Sequence, residues 1–159
     1  VKSVQAALPD LLPAFGCSTN ALIFLEPQTS LGTPDAVVLD PESGFTTLVE
    51  IKSALTARSL PGIVQQLLAF AFLGNAVWLI LPADSDFPAE KVIESFRSAA
   101  VRNVGIALFK TYPLMIEKIH QIDAVASPSD SRTAFRNLIT APSGRRMAAK
   151  RPLMSQSLD

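Results

Sequence analysis

Prolines and glycines cut this chain into short apolar runs, and that punctuation limits it to short elements. Pro9 and Pro13 confine Val1 to Phe15 to a short helix or two broken turns, with Val4, Leu8, Leu11 and Leu12 available for a core face. Ala21 to Leu25 is a brief apolar run that reads as a strand ending near Glu26. Asp35 to Asp40 and Phe45 to Ser53 flank the turn formers Pro41-Glu42-Ser43-Gly44, which predicts a β-hairpin. Leu60-Pro61-Gly62 opens a nearly all-apolar helix, Ile63 to Leu73, closed by Gly74-Asn75. Ala76 to Leu81 reads as a strand stopped by Pro82. Pro88 to Asn103 has helical spacing in Val92, Ile93, Phe96 and Ala100, and Ile106 to Phe109 forms a further strand. Strands alternating with helices need crossovers, so the expected architecture is α/β, a mixed sheet with helices on its faces.

Beyond Phe109 the pattern weakens. Leu114 to Ile122 fits a strand or a helix, and Ser129 to Thr140 fits a short capped helix. From Ala141 onward Ser, Gly, Pro and basic residues dominate, which divides the chain into a domain over 1–140 and a flexible tail over 141–159. The net charge is zero, yet residues 1–129 hold eight Lys/Arg against twelve Asp/Glu, while residues 130–159 hold six against two. A basic tail is attracted to phosphate backbones, which makes Arg145, Arg146, Lys150 and Arg151 candidate nucleic-acid contacts. A solvated, partly disordered end accounts for the same composition. Arg58, between the hairpin and the apolar helix, is a further candidate for phosphate.

Several classes are excluded. Pro61, Gln65 and Gln66 interrupt the most hydrophobic stretch before it reaches the roughly 18 to 20 residues of a membrane span. No basic segment followed by an apolar core opens the chain, so no secretion signal is expected. With Cys17 and His120 each alone, neither a disulfide framework nor a Cys/His zinc site can be assembled, which fits a cytoplasmic protein. The same shortage leaves catalysis to carboxylates, lysine and a metal. Cys17 reads as a small hydrophobe, Trp78 as a core aromatic, and His120 as a surface or partly buried residue rather than a ligand.

The chemistry concentrates in Pro34-Asp35, the hairpin turn, and Glu50-Ile51-Lys52. Side chains alternate along a strand, so Glu50 and Lys52 share one face and Val49 and Ile51 the other. Hairpin pairing brings Asp35 near Glu50, and two adjacent carboxylates repel unless a cation intervenes. Magnesium suits that donor set, since it takes one or two carboxylates and completes its octahedron with water and phosphate. The Ile51 carbonyl is a further candidate ligand. Lys52 would reach the attacking water or the charge developing on phosphate, orienting that water or helping to deprotonate it. A buried amide without partners costs about 1 to 3 kcal/mol, so one of Gln65 and Gln66 is expected to face the site.

Pro34-Asp35, fourteen intervening residues, then Glu50-Ile51-Lys52 resembles the signature of the PD-(D/E)XK nuclease superfamily. Glu26, nine residues before Asp35, resembles the additional upstream acid of many members. Gln66 with Phe70 is similar to the Gln-x-x-x-Tyr element of RecB-like members, with Phe for Tyr; Gln65 is the alternative. The resemblance covers roughly residues 20–110 and implies a restriction-endonuclease-like αβββαβ core. It further implies Mg²⁺ or Mn²⁺ as cofactor, DNA more often than RNA as substrate, and hydrolysis of a P–O bond by activated water. Glu26 joins Asp35, Glu50 and Ile51 as an implied metal ligand, and an endonuclease, acting as a homodimer or in a larger DNA-processing complex, is the expected form. The alternative is a catalytically silent module of the same fold that binds DNA or a partner protein.

Overall fold

A computed structural model describes residues 2–84, 89–99, 102–111, 114–120 and 145–148. Helix α1, Lys2–Leu11, runs through Pro9 and tightens into a 3-10 turn over Leu12–Phe15. Gly16 closes it at φ 72°, its N–H on the Pro13 carbonyl at 3.1 Å. That left-handed cap suits glycine, which has no Cβ to clash. Then follow β1 (Leu22–Leu25), β2 (Ala36–Leu39), β3 (Thr46–Ile51), α2 (Leu60–Ala71), β4 (Ala76–Pro82), α3 (Ala89–Ser98), β5 (Val104–Thr111), β6 (Leu114–His120) and β7 (Arg145–Ala148).

The seven strands form one mixed sheet in the order β6-β5-β4-β3-β2-β1-β7. β1, β2 and β3 form an antiparallel meander; β4 lies parallel to β3, and β5 parallel to β4. Each parallel pair is joined by a helix, α2 or α3, as a parallel connection requires. The fold is therefore the expected mixed α/β architecture, with α1-β1-β2-β3-α2-β4 in αβββαβ order, compatible with a nuclease-like α/β fold.

Both sheet faces are covered. On one, Phe24, Val37, Leu48, Leu79 and Ile106 pack beneath Ile63, Leu67 and Phe70 of α2 and Val92 and Phe96 of α3. On the other, Ile23, Val38, Val49, Ile51 and Ile80 pack beneath Val4, Leu8 and Leu12. Trp78 stacks tilted against Phe15 at 5.3 Å between ring centroids, a core aromatic as expected. Burial on both sides explains why β4 reads as a continuous apolar run.

One open alternative is decided and two expectations change. Leu114–His120 is a strand, paired antiparallel with β5. Arg145–Ala148, assigned from composition to a flexible tail, instead pairs antiparallel with β1, because the exposed edge of β1 offers unpaired backbone groups that composition cannot reveal. The third helix ends at Ser98 rather than near Asn103, whose buried side chain donates to the Ala71 carbonyl at 3.2 Å. The helix expected over Ser129 to Thr140 lies outside the described residues. Among the described residues no helix is long and apolar enough to cross a membrane.

Candidate active site

The start of β2 meets the ends of β1, β3 and β4 at one edge of the sheet, the carboxyl edge where open α/β sheets bind ligands. Residue pairs Ala36↔Val49 and Leu39↔Thr46 set the hairpin register, and Asp40 N–H donates to the Phe45 carbonyl at 2.9 Å. Hydrogen-bonded pairs alternate along an antiparallel ladder, so that register carried past Ala36 sets Pro34 opposite Ile51. Proline has no N–H to give the Ile51 carbonyl. The Ile51 N–H is taken by the Asp35 carboxylate, Oδ2 at 2.6 Å. A side chain thus replaces the ladder at the point where the strands part.

Glu50 lies in the middle of this edge with only 2% of its surface exposed. Its Cα neighbour on β4 is Leu79, and it shares the α2-facing side with Leu48. Lys52 Nζ sits 3.1 Å from Glu50 Oε2, with 29% of its side chain exposed. The alternation expected of Glu-x-Lys therefore holds. Burial raises the Glu50 pKa most, and the neighbouring Asp35 carboxylate, close enough to share a hydrogen bond, raises it further. Lys52 opposes both and does not overcome them, so Glu50 stands at about 7.

Glu26 turns the chain out of β1 at φ 51°, an uncommon conformation for a residue with a side chain. Its N–H donates to the Asp35 carbonyl at 3.0 Å, and its carboxylate lies 3.4 Å from Gln5 Nε2. Among the described residues no group of three or more His, Cys, Asp or Glu side chains is gathered as a metal cluster, so the structure brings Asp35 and Glu50 together without Glu26 as a third ligand. A two-carboxylate set still fits a hard cation such as Mg²⁺, which fills its remaining positions with water and phosphate oxygen. The Ile51 carbonyl, without a ladder donor, is an oxygen of the same kind.

The two glutamines differ in placement. Gln65 is exposed and Gln66 half-buried, because the buried stripe of α2 runs through Ile63, Leu67 and Phe70. Gln66 flanks that stripe, three residues from Ile63 and four from Phe70, whereas Gln65 lies off it. Neither amide has a hydrogen bond among the described residues. Arg58 is exposed in the turn before α2. Backbone pairing puts Arg145 opposite Leu25 and Arg146 opposite Phe24, so Arg145 is one step along β1 from Glu26. Lys150 and Arg151 lie outside the described residues, as does the side chain of His120.

One participant is missing from the sequence reading. Gln5 of α1 is 3% exposed and donates through Nε2 to the Asp35 carbonyl at 2.9 Å. The available signal was a polar side chain on the apolar stripe, three residues before Leu8 and seven before Leu12.

No protein-family model matches the chain, and no curated protein matches it. Among solved structures, SfsA of Pyrococcus furiosus in complex with Ca²⁺ is similar over 77% of this chain at 12% identity and a TM-score of 0.42. The chain spans 64% of that structure's own length.

Proposed function

We propose that the protein is a divalent-metal-dependent nuclease that hydrolyses DNA phosphodiester bonds, acting as an endonuclease at this sheet edge. The carrying observation is the arrangement at the parting hairpin: Asp35 and the buried Glu50 adjoin, with the Lys52 amine 3.1 Å from Glu50. A pair of acids in an apolar edge is costly unless a cation or a proton compensates one of them.

Asp35, Glu50 and the Ile51 carbonyl would hold the ion. When bound, Mg²⁺ or Mn²⁺ supplies Lewis-acid stabilisation of the phosphate and lowers the pKa of water. The residues do the rest. Ile51 N–H fixes one oxygen of Asp35, and the carboxylate so held would serve as a ligand. Lys52, anchored by its backbone N–H on the Ile80 carbonyl at 3.0 Å, sets its amine 3.1 Å from Glu50 Oε2. There it orients the attacking water and donates to the charge that develops on the phosphate oxygen. Arg145 and Arg146 on the edge strand, with Arg58, supply the phosphate contacts that hold the duplex.

The test incubates plasmid, linear and branched DNA with the protein in Mg²⁺ and in Mn²⁺, alongside Lys52→Ala and Asp35→Asn. Cleavage by the wild type that both substitutions abolish is expected. DNA binding with no cleavage under any condition would instead favour the silent binding module.

A further inference from the structure

We infer that Gln5 is a positioning residue for the metal-binding edge, acting through Asp35; the inference rests on the metal site proposed above. Asp35 is held from three directions. Its carbonyl accepts both from Gln5 Nε2 at 2.9 Å and from Glu26 N–H at 3.0 Å, while its carboxylate accepts from Ile51 N–H. Two of these holds come from the strands themselves. The third comes from α1, thirty residues away, through a side chain that is 3% exposed.

Packing alone does not call for an amide there. The buried side of α1 that carries Gln5 otherwise holds apolar residues, Val4, Leu8 and Leu11 among them, surroundings that suit an unbranched apolar side chain of the same length. A buried amide is costly unless its hydrogen bonds are made. The Gln5 side-chain nitrogen reaches both the Asp35 carbonyl and Glu26 Oε2, the latter at 3.4 Å. Both acceptors belong to acidic residues at the site edge. The amide thus ties α1 to the two chain segments that flank the candidate ligands, and it holds the Glu26 carboxylate beside α1. A partner bonded directly to a ligating group typically contributes about 10- to 100-fold to metal affinity, and Gln5, which holds Asp35 through its backbone carbonyl, belongs at the lower end of that range.

Two measurements test this. In wild-type protein, Mg²⁺ titration followed by NMR should shift the Ile51 backbone amide, which reports the metal site, and the Gln5 side-chain amide, which reports the link. In Gln5→Met, the Mg²⁺ dissociation constant should rise by about 10-fold. Exchange of the Ile51 amide proton should also quicken, while the amides of β4 keep their protection. Unchanged Mg²⁺ affinity and unchanged Ile51 exchange in Gln5→Met would overturn the inference. So would a wild-type titration that moves Ile51 and leaves the Gln5 side chain still, an outcome available even if Gln5→Met does not fold. A wild type in which Mg²⁺ moves neither resonance refutes the metal site itself, and the Ile51 exchange comparison then still decides whether Gln5 holds Asp35.

Discussion

Replacing Glu50 by Gln should make the protein more stable in alkaline solution than the wild type, and by an amount that the burial of Glu50 dictates. In the folded protein its pKa is raised from 4.5 to about 7, chiefly by burial and then by Asp35. A folded pKa above the unfolded one means that the folded state keeps a proton the unfolded chain releases. That contribution to stability is complete below pH 4.5 and is lost as pH rises through about 7. At about 1.4 kcal/mol per pH unit, the full span corresponds to about 3 kcal/mol, of which about 2 kcal/mol falls between pH 5.5 and 8.5. Glutamine has nearly the same shape and no proton to lose, so Glu50→Gln should lack this loss. Urea unfolding at pH 5.5 and pH 8.5 in the presence of chelator measures it directly. The difference in unfolding free energy, variant minus wild type, should grow by about 2 kcal/mol from the lower to the higher pH. Adding Mg²⁺ at pH 8.5 should restore the wild type and leave the variant unmoved, because the cation takes the place of the lost proton. An identical pH response in the two proteins would refute the reasoning, since it would mean that Glu50 is as well solvated in the fold as in the unfolded chain.

Other outcomes follow from packing and charge. Leu67→Ala, which empties a fully buried position under the sheet, should cost about 2 to 5 kcal/mol in denaturant unfolding, whatever the pH. Gly74→Ala should cost about 1 to 3 kcal/mol, because an added Cβ meets Leu48 Cδ1 and lies 3.1 Å from the Thr46 carbonyl oxygen; thermal melts compared with Gly62→Ala, where that space is open, read it out. If Arg145 and Arg146 contact phosphate, their joint replacement by Ala should lower the salt slope of DNA binding by about one to two, as measured by fluorescence anisotropy over a salt series.

The chain's strands and helices were legible wherever the pattern was local. Asp40 to Phe45 announces its turn through side chains that bond its own backbone: Asp40 Oδ1 accepts from Glu42 N–H and Ser43 Oγ from Phe45 N–H. The same holds for the candidate site, where alternation alone set Glu50 and Lys52 on one face and the turn folded Asp35 back beside them. What local pattern left open has a different cause. Gln65 and Gln66 both sit in an apolar run, and only the choice of Ile63, Leu67 and Phe70 as the buried stripe exposes the first and half-covers the second. Arg145–Ala148 carries no strand signal of its own and is ordered by the free edge of β1, over a hundred residues earlier.

Sequence by itself determined the elements from α1 to β5, their order and the acid–acid–amine motif, because these depend on neighbours within a few residues: turn chemistry, strand alternation and the proline that opens the ladder. Tertiary structure alone decided the depth at which Glu50 is buried, the reach of Gln5 from α1 to Asp35, and the pairing of β7. Those depend on which faces meet across the sheet. Desolvation and hydrogen bonding are set by atoms close in space, and here those atoms come from segments far apart in the chain.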